Sequence, residues 1–451
     1  MKETTFQAAY LPVGAPTFHL PSAQDLFERS INALQALTAP GELQVPAEML
    51  LSLDKLNAFL DTVTPDLLIV QGITFANGAY MSEILHRFPG VPVVLWTLRE
   101  PVVGDGGRLR LNSLTGAYSA GNTLAAFGKP FVYTIGSPEE ERTVKELGAA
   151  IRAAKALKAM NGLTLAAIGH TPQGFGFGRA LDAELLSVFG VRLLTVEARE
   201  LIRDAKAAPE EAVQAALAEA DGCMAGLAQT PENNRHDFAA LVHSYRTFVE
   251  KNHVGALASR CWPDFFTDYG TPVCAVLAML NDAGVAASCE ADVYGALSMW
   301  LGQFFTGRPA FFGDPVSLDE EENTLTFWHC GTAACSLARK DTGACVGEHC
   351  NRHIGPTMEF GTEACEKAVI FRVGRRPDGT FRFLIAEGEV LDRPKQFLGT
   401  SAVVHLAGDA GAMVRETVKD GWEPHYAVIF GDAAEELAAL ATYLNLPVCR
   451  W

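Results

Sequence analysis

Short, wholly apolar runs recur along the first part of the chain, each followed by a glycine or polar turn and then by residues with helical spacing. Residues 67–70, just after Pro65 and Asp66, form one such run. The turn 72–78 follows, and 79–88 carries apolar residues at helical intervals. Residues 92–96 and 131–135 are two further buried strands, with small residues at helical spacing over 114–127 between them. A short run that is apolar throughout suits a strand covered on both faces, as in a parallel sheet. The Ala/Glu/Lys-rich stretch 138–160 reads as a long connecting helix, after which the rhythm restarts. Residues 163–169 and 191–196 are strands and 180–189 a helix; 208–250 holds one or two amphipathic helices and 273–284 another.

Beyond about residue 313 the pattern changes. Strand-like runs at 324–328, 368–373, 381–387 and 401–406 are separated by Gly, Pro and charged turns, and a helix at 433–444 closes the chain. The fold class expected is therefore α/β: Rossmann-like α/β N-terminal domains followed by a β-rich C-terminal domain. The expected division is 1–160, 161–312 and 313–451. No internal repeat or low-complexity tract interrupts this layout.

The chain has 451 residues, more than one ordinary core accommodates, which agrees with several domains. Its net charge of −17, with no basic stripe to offset it, argues against nucleic acid and against an anionic membrane surface as partners. The opening MKETTFQAAYLPVGAPTF lacks the apolar core of a signal peptide, and no apolar stretch reaches the length of a membrane span. With ten scattered cysteines in a long chain, reduced thiols and a cytoplasmic location are expected. Cys330, Cys335, Cys345 and Cys350, with His349 and His353 nearby, have spacings within the zinc range, but small buried thiols are the simpler account.

Four residues stand out chemically. Glu290 follows the apolar 285–289 and precedes a helix starting near Val293, a corner that carries a carboxylate into a cleft. Asp314 follows the apolar 310–313 and precedes Pro315, so it reads as the end of its strand. His329 closes the strand 324–328 before the turn Cys330-Gly331-Thr332, and His425 stands directly before another apolar strand. Any one of them taken alone is as readily a cap, a turn acid or a structural histidine. Two carboxylates and two imidazoles at strand ends, however, make a set able to hold one divalent cation and leave positions for substrate. Hard oxygen donors mixed with imidazole suit Mn²⁺, Mg²⁺ or Co²⁺ better than a closed structural zinc site. A glycine-rich run, 169–178, follows a strand and precedes a helix. It lacks the GxGxxG order of a dinucleotide site, and its interleaved phenylalanines point to a loop that packs on something.

The segments CEADVYGALSM, Gly313-Asp314, EENTLTFWHCG and PHYAVIFGDAAEELAALATYLNLPV resemble the L-fucose/L-arabinose isomerase superfamily, most closely its L-fucose isomerase-related branch. The likeness is at the level of motifs in roughly 285–335 and 420–450, where the spacing of Glu290 and Asp314 also fits. It is a likeness of α/β layout in the first 200 residues. The resemblance implies a metal-dependent aldose–ketose isomerase that works through a cis-enediol and assembles as a homo-oligomer, often a hexamer. It implies that Glu290 and Asp314 are both metal ligands and the catalytic acid/base pair, and that His425 is the histidine ligand; either carboxylate could be the base, and Glu290 is the preferred one. His329 resembles the extra histidine ligand of the arabinose isomerases, whereas fucose isomerase itself has three protein ligands. Mn²⁺ is the implied metal, with Mg²⁺ or Co²⁺ as alternatives.

The chain is considerably shorter than L-fucose isomerase, so the sugar-recognising loops do not transfer. The substrate expected is a hexose, a deoxyhexose or a modified sugar, sulfonated ones such as sulfoquinovose included. Arg99, Arg179 and Arg352 are candidate counter-charges for an anionic sugar, and loops 72–80, 112–122 and 169–178 are candidate sugar contacts. Two other classes fit the same residues: a non-catalytic sugar-binding protein with two lobes around a cleft, and a metal-dependent aldolase or hydrolase.

Overall fold

The computed structural model describes residues 5–100 and 105–451. They fall into two compact units, residues 5–159 with 435–446, and residues 160–434 with 447–451. The architecture is α/β with a β-rich C-terminal region, as the alternation of apolar runs predicts.

The first unit is built on a parallel sheet in the order Leu43–Gln44, Ala8–Val13, Leu67–Gly72, Val93–Thr97, Val132–Ile135. Side chains on a strand alternate between faces, and here both faces are apolar. Tyr10, Ile69, Val94 and Trp96 pack against Phe27 and Leu34 of helix Leu20–Leu37 and Leu147 and Ile151 of helix Glu141–Met160. Leu11, Leu68, Val70 and Leu95 face the other way, against Leu56, Ile84 and Leu124 from three more helices. The helix near the C-terminus, Ala434–Tyr443, contributes Tyr443 to the first of these cores.

The second unit combines two large sheets and a two-stranded one, Val346–Gly347 with Thr357–Met358. One is parallel, in the order Arg192–Val196, Thr164–Ile168, Val254–Ser259, Ala286–Cys289. The other large sheet is mainly antiparallel, with Phe360–Gly361 and Val448–Arg450 added in parallel, and closes on itself. Strand Thr400–Leu406 pairs with Thr324–His329, which pairs with Phe311–Asp319, then Tyr426–Phe430, Cys365–Arg375 and Phe381–Val390, which returns to Thr400–Leu406. Closure leaves none of these six strands with a free edge.

One local expectation is corrected. Asp314 does not end its strand, which continues to Asp319. Pro315 is accommodated because the pairing register shifts between Pro315 and Ser317, an irregularity at which a missing N–H costs no ladder bond.

Candidate metal centre

The barrel ladder determines which polar residues meet. Asp314 lies opposite Trp328, the neighbour of His329, and Gly313 lies opposite Tyr426, the neighbour of His425. Asp314, His329 and His425 therefore occupy neighbouring register positions across three adjacent strands. Glu290 arrives from the parallel sheet, directly after strand Ala286–Cys289. Glu290 and Ala291 both hold positive φ, 58° and 55°, a conformation that costs a non-glycine residue about 1–2 kcal/mol. Hydrogen bonds from Ala291 N to the Ser259 carbonyl and from Asp292 N to the Cys289 carbonyl, both 3.1 Å, hold the turn. This strained corner directs the Glu290 carboxylate at His425.

The resulting distances are short. His425 Nε2 lies 3.0 Å from Glu290 Oε2 and 3.4 Å from Asp314 Oδ1. A Glu290 oxygen and ring nitrogens of His329 and His425 all lie within 4.8 Å of one another. Two ligands on opposite sides of one ion, each about 2.1 Å away, are about 4.2 Å apart, so this donor set is of the size that one small divalent cation draws together. Asp314 borders the set and His329 lies inside it. The four residues singled out in the sequence are thus brought together.

A fifth residue, Asp292, was not singled out. It is fully buried and caps helix Val293–Thr306 by accepting from Gly295 N. The same carboxylate accepts from both terminal nitrogens of buried Arg372, at 2.6 and 3.1 Å, and faces His425 Nδ1 at 3.0 Å. A carboxylate behind a ligand histidine fixes its tautomer and ring orientation; here Asp292 accepts a hydrogen bond from His425 Nδ1–H and leaves Nε2 facing Glu290 and Asp314. The available sequence signal was Arg372, a guanidinium inside the apolar run 368–373 that calls for a buried anion.

Electrostatics follow from this packing. Although Asp292 is buried, Arg372 and His425 hold its carboxyl below the usual range. Burial opposes charge on His425, but Asp292 and Glu290 outweigh it and raise the ring to about 9. His329 is likewise raised to about 9, with Cys330, Glu290 and Asp314 overcoming burial. Burial pushes the Asp314 carboxyl up. His329 Nδ1 faces Cys330 Sγ at 3.4 Å and Thr332 Oγ1 at 3.5 Å, so Nε2 is its ring nitrogen left for a ligand role.

The glycine-rich run packs on this site. The ring of Phe177 meets His425 edge-on at 5.2 Å and that of Phe175 lies at 6.2 Å. Phe312 lies against both imidazoles, 4.7 Å from His425 and 5.3 Å from His329. Gly178 is pressed on Asp292: a Cβ there would come within 2.7 Å of the Asp292 Cα, so only glycine fits. The cysteine spacings give no separate zinc site among the described residues. Cys330 instead forms with Cys289 and His329 a second trio whose ligand atoms lie within 4.8 Å of one another, sharing His329 with the first, and sits 4.0 Å from Cys274. No helix among the described residues is long and apolar enough to cross a membrane.

Carboxylates able to carry protons beside imidazoles able to hold a cation are the equipment of a sugar isomerase, and comparison with known proteins gives the same class. The chain is 58% identical over 442 residues, 98% of each chain, to a sulfoquinovose isomerase of Clostridium sp. (strain MSTE9). It is 38% identical to proteins of the same name from Alkalicoccus urumqiensis, over 97% of this chain and 98% of the relative, and from Priestia megaterium, over 99% of each. No family model matches it. The protein is an enzyme, an intramolecular oxidoreductase that interconverts aldose and ketose sugars. It belongs to the sulfoquinovose isomerase family. The relatives favour neither a non-catalytic sugar-binding role nor an aldolase or hydrolase.

Proposed function

We propose that this chain interconverts sulfoquinovose, a hexose with a sulfonate on C6, and its 2-keto isomer through a cis-enediol, using one divalent cation. The observation that carries the mechanism is the convergence of Glu290, Asp314 and His425; the substrate rests on the relatives' shared name. Glu290, His425 and Asp314 would hold the cation, with His329 as a fourth ligand. Mn²⁺ is our preferred ion and Mg²⁺ or Co²⁺ the alternatives, since the donors are carboxylate oxygen and imidazole nitrogen. When bound, the cation supplies electrostatic stabilisation of the negative charge that develops on O1 and O2.

The chain's own groups move the protons. Glu290 removes the C2 proton, exchanges it with solvent, and then protonates C1. Asp314, whose carboxyl is raised by burial, carries a proton between O2 and O1. His425, oriented by Asp292, stays fixed while charge moves beside it. Phe175, Phe177 and Phe312 exclude water from the imidazoles. We place the chain in the wider L-fucose/L-arabinose isomerase superfamily on its motifs. Segment 313–451 then acts as the β-rich domain that completes a site begun by Glu290, and a cytoplasmic homo-oligomer, a hexamer by that resemblance, is the expected form.

The test is turnover of sulfoquinovose by the purified, Mn²⁺-loaded protein in D₂O, followed by NMR. The expected result is the ketose carrying deuterium at C1, with activity lost on chelation. Absence of a ketose product overturns the reaction, and product without deuterium overturns the enediol route in favour of a hydride shift.

A further inference from the structure

A sulfonated sugar needs a cation at the end remote from C1 and C2, and the chain as a whole is strongly acidic. Of the candidate counter-charges, Arg99 is held by Glu140 at 2.8 Å. Arg179, beside the glycine-rich loop, lines a cavity of about 520 Å³, but the other charged side chains there include the acids Glu197 and Glu200, which repel an anion. Nearer the site, Arg372 is buried on Asp292 and Arg260 is bonded to Asp264 at 2.9 Å.

Arg352 differs from all of these. Among the described residues it has no carboxylate partner. Its guanidinium lies 5.3 Å from the Trp262 ring and 4.8 Å from the Phe266 ring, and Nη1 is 3.5 Å from His349 Nε2. The half-buried group is thus oriented by two aromatic faces with its charge uncompensated. Those rings lead back to the metal centre. Trp262 meets Phe175 edge-on at 6.2 Å, and Phe175 lies 6.2 Å from His425. A strip of rings therefore runs from the imidazole that faces both carboxylates to an unpaired arginine.

We propose that Arg352 is the sulfonate-recognising residue, with Trp262 the platform along which the sugar's carbon chain lies. The proposal rests on the sulfonated-sugar reading above. A sulfonate offers oxygens that match the two parallel N–H groups of a guanidinium edge, a geometry that lysine does not reproduce. With C1 and C2 at Glu290 and Asp314, the sugar extends past Phe175 and its terminal sulfonate reaches Arg352. This assigns chemistry to Glu290 and Asp314 and substrate choice to Arg352.

The test compares kcat and KM of wild type, Arg352→Met, Arg352→Lys and Arg179→Met on sulfoquinovose and on glucose, with thermal melting of each protein. Arg352→Met should lower kcat/KM for sulfoquinovose about 100-fold, chiefly through KM, with far less effect on glucose and an unchanged melting temperature. Arg352→Lys should recover part of the loss, and Arg179→Met should behave as wild type. An unaltered KM in Arg352→Met overturns the assignment. So does a parallel fall in kcat and melting temperature, or an equal loss on both sugars. A wild-type enzyme inert toward sulfoquinovose overturns instead the functional reading on which the assignment rests.

Discussion

The two parallel sheets are built alike, yet acids at their carboxyl ends do opposite things. In the first unit Glu100, just beyond strand Val93–Thr97, is spent on its own loop. Its carboxylate accepts from Leu111 N at 3.1 Å and Asn112 N at 2.7 Å. Ser113, which donates to the Gly72 carbonyl and accepts from Leu98 N, closes the same edge. In the second unit Glu290 ends strand Ala286–Cys289 in a strained corner and faces an imidazole and, through it, a second acid. Open parallel sheets favour ligands at the carboxyl ends of their strands. Topology offers that position twice; what differs is whether the loop's amides consume the acid. Function in this chain follows from that local accounting and not from the sheet.

Exchanging each acid for its amide tests the contrast directly and should produce the largest effect. On the proposed mechanism Glu290→Gln removes a proton carrier and a metal ligand together, so kcat should fall by about 10³–10⁴-fold with the melting temperature nearly unchanged. Glu100→Gln should do the reverse, lowering the melting temperature by a few degrees through weakened loop bonds while leaving kcat alone. Steady-state assays and thermal melts on both variants decide it. Near-normal activity in metal-loaded Glu290→Gln would end the proposed mechanism.

The next largest effect separates the metal centre from its support. Asp292→Asn keeps the N-cap acceptor for Gly295 but presents an amide to His425 and leaves Arg372 only the more distant Glu423 carboxylate, 4.0 Å from its Nε. Metal affinity should fall about 10–100-fold, and breaking a buried pair should cost about 3–5 kcal/mol of stability. Mn²⁺ titration and denaturant unfolding measure the two separately. Loss of stability with unchanged affinity would make Asp292 a purely structural anchor.

The same residue shows why some of the site was legible in the sequence and some was not. Glu290, Asp314, His329 and His425 each adjoin an apolar run, where a polar side chain has few local explanations, so their positions alone drew attention. Asp292 sits two residues after Glu290 in what reads as an ordinary helix start, and it is one. Its second role depends on His425 and Arg372, which are 133 and 80 residues away and are brought together by the pairing of strands Cys365–Arg375 and Tyr426–Phe430. Most strands and helices were readable from apolar periodicity, because burial on two faces leaves an unbroken run. Strand Ala8–Val13 was not, since it contains Pro12, a residue that normally argues against a strand. The reach of strand Phe311–Asp319 beyond Pro315 was missed for the same reason.

The smallest expected effect bears on His329, the residue whose ligand role the sequence left open. In the metal-free protein both imidazoles are held protonated up to about 9, and each must lose its proton to bind a cation. Mn²⁺ affinity should therefore rise with pH from 7 toward 9 and level off above. If His425 alone is a ligand, the rise is about tenfold per pH unit; if His329 binds as well, two protons leave and it approaches about 100-fold. Metal-free stability should run the opposite way. A histidine whose folded pKa lies above its unfolded value stabilises fully below about 6.5, and that contribution is lost as pH rises through 9. Chelator-competition titrations and melting curves over this range supply both slopes. A metal affinity independent of pH would show that neither ring gives up a proton, and would remove both histidines from the coordination sphere at once.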